Sequence, residues 1–446
     1  MKKVVFVLIC LFILPLEILS QGNFIIQNKR KSDKIRFQLI NNLMIIPVKV
    51  NGVEMSFILD TGVSKTILFN IFNLEETLNI KNAQEIAIRG LGEGASVEAL
   101  HSKNNIVEIG EALNINQELY VVYNSNLNFA PRLGIPIHGI IGYDFFKDFV
   151  VEIYYSSKSL KFHEPEKYKY SNCKKCESVL LDFHNKKPYI TVLVTIDGRE
   201  IPVKLLIDSG GSDSLWLFED AELGLIPSDN NFTDFLGYGL SGSVYGKRTR
   251  LKSLSINNFV LENVNVAFPE DASILFAKQH EARNGSLAGN ILKRFHVVLD
   301  YEKSLIRLKK NRFFKEHFSY NKSGIELEQN GIRLVAEKNS ISRLLSLDDG
   351  NEVVKKGDSR VVYETNYKLS VKPAFTIIEL RKDSPAERAG LEVGDIILKI
   401  NNKESFQFSL QELTHYFYGK EGDRIRLKVE RLGEILDFEF KLESLL

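Results

Sequence analysis

Two short stretches of this 446-residue chain are near copies of each other, and any fold must accommodate both. The first runs Phe57-Ile58-Leu59-Asp60-Thr61-Gly62-Val63-Ser64, the second Leu205-Leu206-Ile207-Asp208-Ser209-Gly210-Gly211-Ser212. Each is an apolar run, then Asp-Thr/Ser-Gly, a small or β-branched residue, a Ser and a second apolar run. An apolar run bounded by turn residues reads as a buried strand, and the glycine admits a tight loop after it. Each copy therefore holds one carboxylate at the end of a strand–loop–strand unit. Two such units facing each other would bring two carboxylates together.

The correspondence extends well beyond the motifs. Asn51-Gly52 stands between apolar runs just before Asp60, and Asp197-Gly198 takes the same place before Asp208; both are hairpin signals. Gly90-Leu91-Gly92-Glu93-Gly94 begins 30 residues after Asp60, and Gly237-Tyr238-Gly239-Leu240-Ser241-Gly242 begins 29 after Asp208. Ile140-Ile141-Gly142 closes 82 residues after Asp60, and Leu287-Ala288-Gly289 closes 81 after Asp208. A short amphipathic segment follows each (143–149 and 290–295), then a pair of strands (150–155 with 160–162, 297–301 with 305–308). Landmarks repeated at matching spacing mark an internal duplication. The expected units are residues 35–165 and 166–310, joined through the Lys/Glu/Tyr-rich stretch 163–178. Residues 21–34 are polar and read as a flexible lead-in.

A lone Asp-Thr-Gly is an ordinary turn. Two of them, each followed at matching distance by a glycine tip and an apolar-apolar-Gly, resemble the pepsin/retropepsin clan of aspartic proteases over residues 35–310. The resemblance implies a mostly-β, two-lobed acid-protease β-barrel fold formed by internal duplication, and a peptide or protein substrate. It makes Asp60 and Asp208 the catalytic pair. It also implies that Thr61 and Ser209, with Gly62 and Gly210, hold the two loops together through hydrogen bonds across the lobe interface. The glycine tips, Gly90, Gly92 and Gly94 with Gly237, Tyr238 and Gly239, match the flaps that close over substrate. Two like charges a few ångströms apart cannot both ionise, so such a pair shares one proton. One carboxylate can then take a proton from water while the other donates to the scissile carbonyl. This chemistry asks for no cofactor and no metal.

Two departures from the pepsin pattern matter. Val63 and Gly211 stand where pepsins usually carry a hydroxyl residue, as an apolar residue does in retropepsins. Loss of a hydroxyl that bonds the ionised form leaves the pair's pKa values higher, so the expected optimum is mildly acidic to neutral. There are also two flap-like tips rather than one, so the chain looks like a retropepsin dimer fused into one polypeptide. A monomer is expected, because both lobes lie in one chain.

The tail, residues 320–446, changes texture. Ser384-Pro385-Ala386, then Ala389-Gly390-Leu391, then Gly394-Asp395-Ile396-Ile397 resemble a PDZ domain of the bacterial exported-protease type, an α+β unit. PDZ domains capture peptides by adding a strand to an exposed sheet edge, so a peptide ligand is implied. A carboxylate-binding loop is not evident, and residues 340–375 depart from the simple pattern. The competing expectation is a rigid appendage packed on the lobes. The segment Ser409 to Gly419 reads as a capped helix and 424–430 as a strand.

The remaining features bound the setting. Formal net charge is +1, and there is no long basic run, which argues against nucleic acid or an anionic membrane as the main partner. Lys2 and Lys3 precede an apolar stretch over residues 4–16, with small Ser20 before Gln21-Gly22. This is the pattern of a secretory signal over residues 1–20, too short to span a membrane stably. An exported protein, periplasmic or secreted, is expected. Cys173 and Cys176 then remain, as a local disulfide or two free thiols in preference to a zinc site with His163 or His184. Gly237-Tyr238-Gly239-Leu240-Ser241-Gly242 formally matches a dinucleotide fingerprint but lacks the βαβ context. Asn231, Asn284 and Asn321 begin glycosylation-type triplets of a length that arises by chance. From a different functional class, the rival to a peptidase is a lobe pair that no longer cleaves, acting as a peptide-binding scaffold through the PDZ-like tail.

Overall fold

In the computed structural model the described residues are 22–71, 77–94, 96–123, 128–280, 282–346 and 359–446. The leader expected over residues 1–20, with Cys10, lies outside them. In the first half, strands Leu43–Val50 and Val53–Leu59 pair antiparallel, with Val50 opposite Val53. The turn between them holds Asn51 at φ 50° and Gly52 at φ 90°, the positive-φ pair that matches strand twist in a two-residue hairpin. Strand Val53–Leu59 ends on Asp60. The short strand Gly139–Ile141 then inserts beside it, parallel to Val53–Leu59 and antiparallel to Ile67–Leu68. Ile67–Leu68 in turn runs parallel to Ala112–Val122.

The second half repeats this element by element. Asp197 (φ 48°) and Gly198 (φ 79°) turn Lys187–Ile196 into Arg199–Asp208. Gly285–Ala288 runs parallel to Arg199–Asp208 and antiparallel to Leu215–Leu217, which is parallel to Phe259–Pro269. Each sheet wraps back on itself, through contacts of Val97–Ile109 with Ala112–Val122 and of Lys187–Ile196 with Gly242–Ile256. Alternation fills the interiors: Val48, Val50, Met55, Phe57 and Leu59 in one lobe, and Val192, Val194, Val203, Leu205 and Ile207 in the other, are all buried. Each such side chain stabilises the fold by about 1.5–3 kcal/mol.

A third sheet ties the lobes together. Its six strands lie in the order Cys176–Leu180, Leu305–Lys310, Phe295–Asp300, Val150–Tyr154, Ser159–His163, Ser32–Arg36. Three come from each half, and the seam is Val150–Tyr154 against Phe295–Asp300, with Ile153 opposite Val297. One continuous core cluster runs through both halves. The lead-in expected to be flexible is instead built into the fold. Ser32–Arg36 forms the outer strand of this sheet, Ile25–Ile26 pairs with Ala112 and Leu113, and Phe24 and Ile26 are buried. Polar alternation hid two strands whose stability comes from their partners, more than a hundred residues away in one case.

In the tail, strands Ile325–Ser346, Ser359–Leu380, Ile396–Ile400, Arg424–Arg431 and Glu434–Lys441 form a sheet in the order in which they follow along the chain. Helix Pro385–Arg388 starts on Ser384, whose side chain accepts from Glu387 N. Helix Leu410–Tyr416 starts on a reciprocal capping box between Ser409 and Glu412, a device worth about 1 kcal/mol. Residues 340–346 and 359–375, unplaced from the sequence, belong to the long first hairpin; 347–358 lie outside the described residues. Cys173 and Cys176 form a local disulfide, which removes the zinc alternative at that pair. Among the described residues no helix is long and apolar enough to cross a membrane, and no group of three or more His, Cys, Asp or Glu is placed to hold a metal.

Candidate active site

The two Asp-Thr/Ser-Gly loops meet at the lobe interface. Thr61 N donates to Ser209 Oγ (3.0 Å) and Ser209 N donates to Thr61 Oγ1 (3.0 Å). Each hydroxyl also passes its own proton across: Thr61 Oγ1 to Ile207 O (2.6 Å) and Ser209 Oγ to Leu59 O (2.8 Å). Thr61 and Ser209 are fully buried, so these four bonds are made without competition from water. They clamp two backbones that lie about 150 residues apart in sequence.

The clamp sets the carboxylates side by side. A methyl group built on Gly62 would lie 3.1 Å from Asp60 Oδ1 and 3.2 Å from Asp208 Oδ1, so both oxygens converge on one point. Gly62 N donates to Asp60 Oδ1 at 2.7 Å, and Gly210 N reaches the same oxygen at 3.1 Å. A methyl group on Gly210 would overlap the Asp60 carboxyl at 2.2 Å, which accounts for glycine there. Beneath the loops, Asp60 N donates to Ile141 O (2.8 Å), and Ala288 lies opposite Asp208. Burial, and next the charge of Asp208, push the Asp60 carboxyl up to about 7. Burial also raises Asp208, opposed by the nearby cations Arg283 and Lys187. Two buried carboxyls so placed share a proton and titrate as a unit.

Several contributors were not picked out from the sequence. Thr66 Oγ1 donates to buried Asp144 Oδ2 (2.8 Å), and Asn290 Nδ2 donates to Ser214 Oγ (3.0 Å), a matched pair of braces under the two loops. The signal was present, since Thr66 and Ser214 each stand six residues after an aspartate. Arg283 and Lys187, which bear on Asp208, have no counterpart in the first half and leave no such signal.

The two glycine tips meet each other. Gly94 N donates to Ser241 O (2.7 Å), Ser241 N donates to Leu91 O (2.8 Å) and Gly90 N donates to Ser241 Oγ (3.2 Å). Gly92, at φ 113°, donates to Ser273 O (3.1 Å). Leu91 packs on Phe218, Ile274 and Leu236 of the second half, while Leu240 packs on the Ile58 and Ile67 cluster of the first. Each tip thus lodges in the opposite lobe. The backbone amides of Gly90, Gly92 and Gly94, which the sequence singled out, make these hydrogen bonds, whereas the side-chain partners Leu91, Leu240 and Ser241 were not singled out. Gly237 and Gly239 shape the second tip, and Tyr238 lies edge-on to Phe129 with ring centres 6.4 Å apart.

Comparison with known proteins adds the following. The aspartyl protease family model matches residues 46–145 and again residues 192–290, and the PDZ domain model matches residues 376–431. Over 108 residues the chain is 29% identical to the serine endoprotease DegS of Haemophilus influenzae, covering 22% of this chain and 31% of that protein. Over 64 residues it is 33% identical to a probable CtpA-like serine protease of Staphylococcus saprophyticus, and 39% to one of Staphylococcus aureus. Each of those matches covers 14% of this chain and 13% of the relative. The chain thus spans less than a third of the length of these relatives.

Proposed function

Given a chain that is aspartyl-protease-like in both halves and carries a C-terminal PDZ domain, we propose that it is an aspartic endopeptidase acting through Asp60 and Asp208. The observation that carries this is the convergence of the two carboxylates under reciprocal Thr61–Ser209 bonds. Water between them loses a proton to the ionised carboxylate as its oxygen bonds to the scissile carbonyl carbon. The protonated carboxyl donates to the carbonyl oxygen, giving a neutral gem-diol. Collapse then breaks the C–N bond, and a proton passes to the departing amine.

The serine-type names of the relatives belong to those proteins. Ser209 is fully engaged here, its oxygen donating to Leu59 O and accepting from Thr61 N, so it is not available as a nucleophile. Peptide or protein is the substrate, and the PDZ domain supplies a second peptide-binding element. Since one chain provides both carboxylates, the working unit is a monomer. Residues 1–20 act as an export signal that sends it to the periplasm or the medium.

The test uses residues 21–446 and the Asp60→Ala and Asp208→Ala variants, each incubated with an unfolded protein mixture from about pH 3 to 8, the range that spans carboxylate pairs. Cleavage that disappears in both variants is expected. The parent should lose kcat/KM with an upper limb near pH 7, where the raised Asp60 carboxyl gives up the shared proton. Cleavage surviving in either variant would overturn the assignment, and a maximum below about pH 3.5, where pepsin-like pairs work, would overturn the neutral-side optimum alone. Absence of cleavage throughout would leave the peptide-binding scaffold.

A further inference from the structure

In the PDZ sheet, residues 325–329 pair on one side with residues 375–380, and among the described residues no strand pairs with their other edge. Helix Leu410–Tyr416 packs against this same strand, Leu410 and Leu413 sharing a core with Ile325 and Leu327. A strand edge facing a helix is the groove into which an extended peptide adds as a further strand. Here both ends of the groove are already taken. At one end sits the first-lobe turn 129–134: Arg132 Nε pairs with Glu328 Oε1 at 3.0 Å, and Gln411 Nε2 donates to Leu133 O at 2.7 Å. Gly134 comes so close that an added methyl would lie 2.9 Å from Leu410 Cβ. At the other end, Ser323 N and Gly324 N donate to Asn321 Oδ1 (3.0 and 3.2 Å), and Ile325 N donates to Ser323 Oγ (3.0 Å). The amides that could receive a chain-terminal carboxylate are therefore satisfied from within.

The same first-lobe turn bears on the second flap. Phe129 packs edge-on against Tyr238, and the Arg132 guanidinium lies 4.9 Å from the Phe235 ring and 5.0 Å from that of Tyr238. The PDZ sheet touches this flap directly as well. Tyr245 OH donates to Glu379 Oε1 (2.9 Å), and Arg381 reaches Asp234 at 3.6 Å. One turn is thus shared between the peptide groove and the second glycine-tipped hairpin.

We propose that residues 129–134 are a built-in occupant of the PDZ groove, displaced by an extended internal polypeptide segment that adds along residues 325–329, and that their departure releases the second flap. The PDZ domain then governs access to the aspartate pair. This rests on the peptidase assignment for that pair. An internal segment fits better than a free C-terminus, because Asn321 already occupies the carboxylate seat.

The test uses Glu328→Arg and Gln411→Ala in residues 21–446. Both act from the PDZ side and touch no flap residue. Hydrogen exchange should become faster by about tenfold or more in residues 129–134 and, together with them, in flap residues 232–239. Exchange in Arg424–Lys441 should stay at the parent's rate, showing that the PDZ domain remains folded. kcat/KM on a denatured protein should rise several-fold. Faster exchange at 129–134 with the flap unchanged would overturn the coupling, as would unchanged exchange in both. An unchanged or lower kcat/KM in a cleaving protein would also overturn it. If the parent does not cleave, the peptidase assignment fails by itself and the exchange pattern still decides the coupling.

Discussion

Thr61 and Ser209 carry more than their size suggests, because each hydroxyl both donates and accepts across the lobe interface where no water can substitute. Thr61→Val keeps the shape but removes both bonds. It leaves Ser209 N and Ile207 O buried and unpaired, at a cost of about 1–3 kcal/mol for each group. Denaturant unfolding of Thr61→Val should show a loss of this order, with kcat falling more than KM rises, because the loops no longer fix the carboxylates. A variant with parental stability would mean that the lobes are held by the six-stranded seam alone. Val63 and Gly211 act in the opposite sense, by what they omit. With backbone amides rather than hydroxyls serving the carboxylates, burial dominates and the Asp60 carboxyl rises.

At the scale of elements, the flaps behave as a reciprocal latch. Gly92 sits at φ 113°, and an added methyl would lie 2.5 Å from Gly242 N and from Ser241 C. Gly92→Ala therefore meets both backbone strain and a clash with the opposite tip. KM for a peptide substrate should rise about tenfold or more, with little change in melting temperature, since the tips add little to either core. A drop in melting temperature with unchanged KM would instead assign Gly92 a folding role. The glycine clusters were legible as hairpin tips from φ-permissive composition alone. The reach of Leu91 into the second lobe was not, because an apolar residue at a loop tip has no periodicity to betray its partner. The strands at 25–26 and 32–36 were missed for the related reason that edge strands borrow their stability from neighbours.

At the scale of the whole molecule, the PDZ domain closes over a charged seam. Arg248 joins Asp213 (2.7 Å) and Asp234 (2.8 Å), and half-buried Glu326 lies close by, accepting from Asn321 Nδ2 at 3.2 Å. Burial, and then the charge of Asp234, raise the Glu326 carboxyl to about 7. A raised folded-state pKa stabilises the protonated fold, so this contribution is present below about pH 4.5 and lost as pH climbs through 7. Glu326→Gln stays neutral and can keep the Asn321 bond. Its melting temperature should match the parent near about pH 4 and exceed it at about pH 8, within an upper bound of about 3 kcal/mol at 1.4 kcal/mol per pKa unit. Equal melting temperatures at both values would show that Glu326 is ionised and well solvated in the folded protein.

The chain's duplicated strand–turn–Asp units, their hairpins and the capped PDZ helices follow from local rules: alternation, φ-permissive turn residues and reciprocal caps act within a few positions. Repeated at matching spacing, they marked the duplication, and its resemblance to aspartic proteases implied the two-lobed fold class and singled out Asp60 and Asp208. The exchange of flap tips, the cations beside Asp208 and the seat of Arg132 on Glu328 were decided only in three dimensions. Gly90 and Ser241 lie 151 residues apart, and Gln411 bonds a carbonyl 278 residues away. At such separations the partner is chosen by how folded surfaces meet, and neither spacing nor composition along the chain encodes that choice.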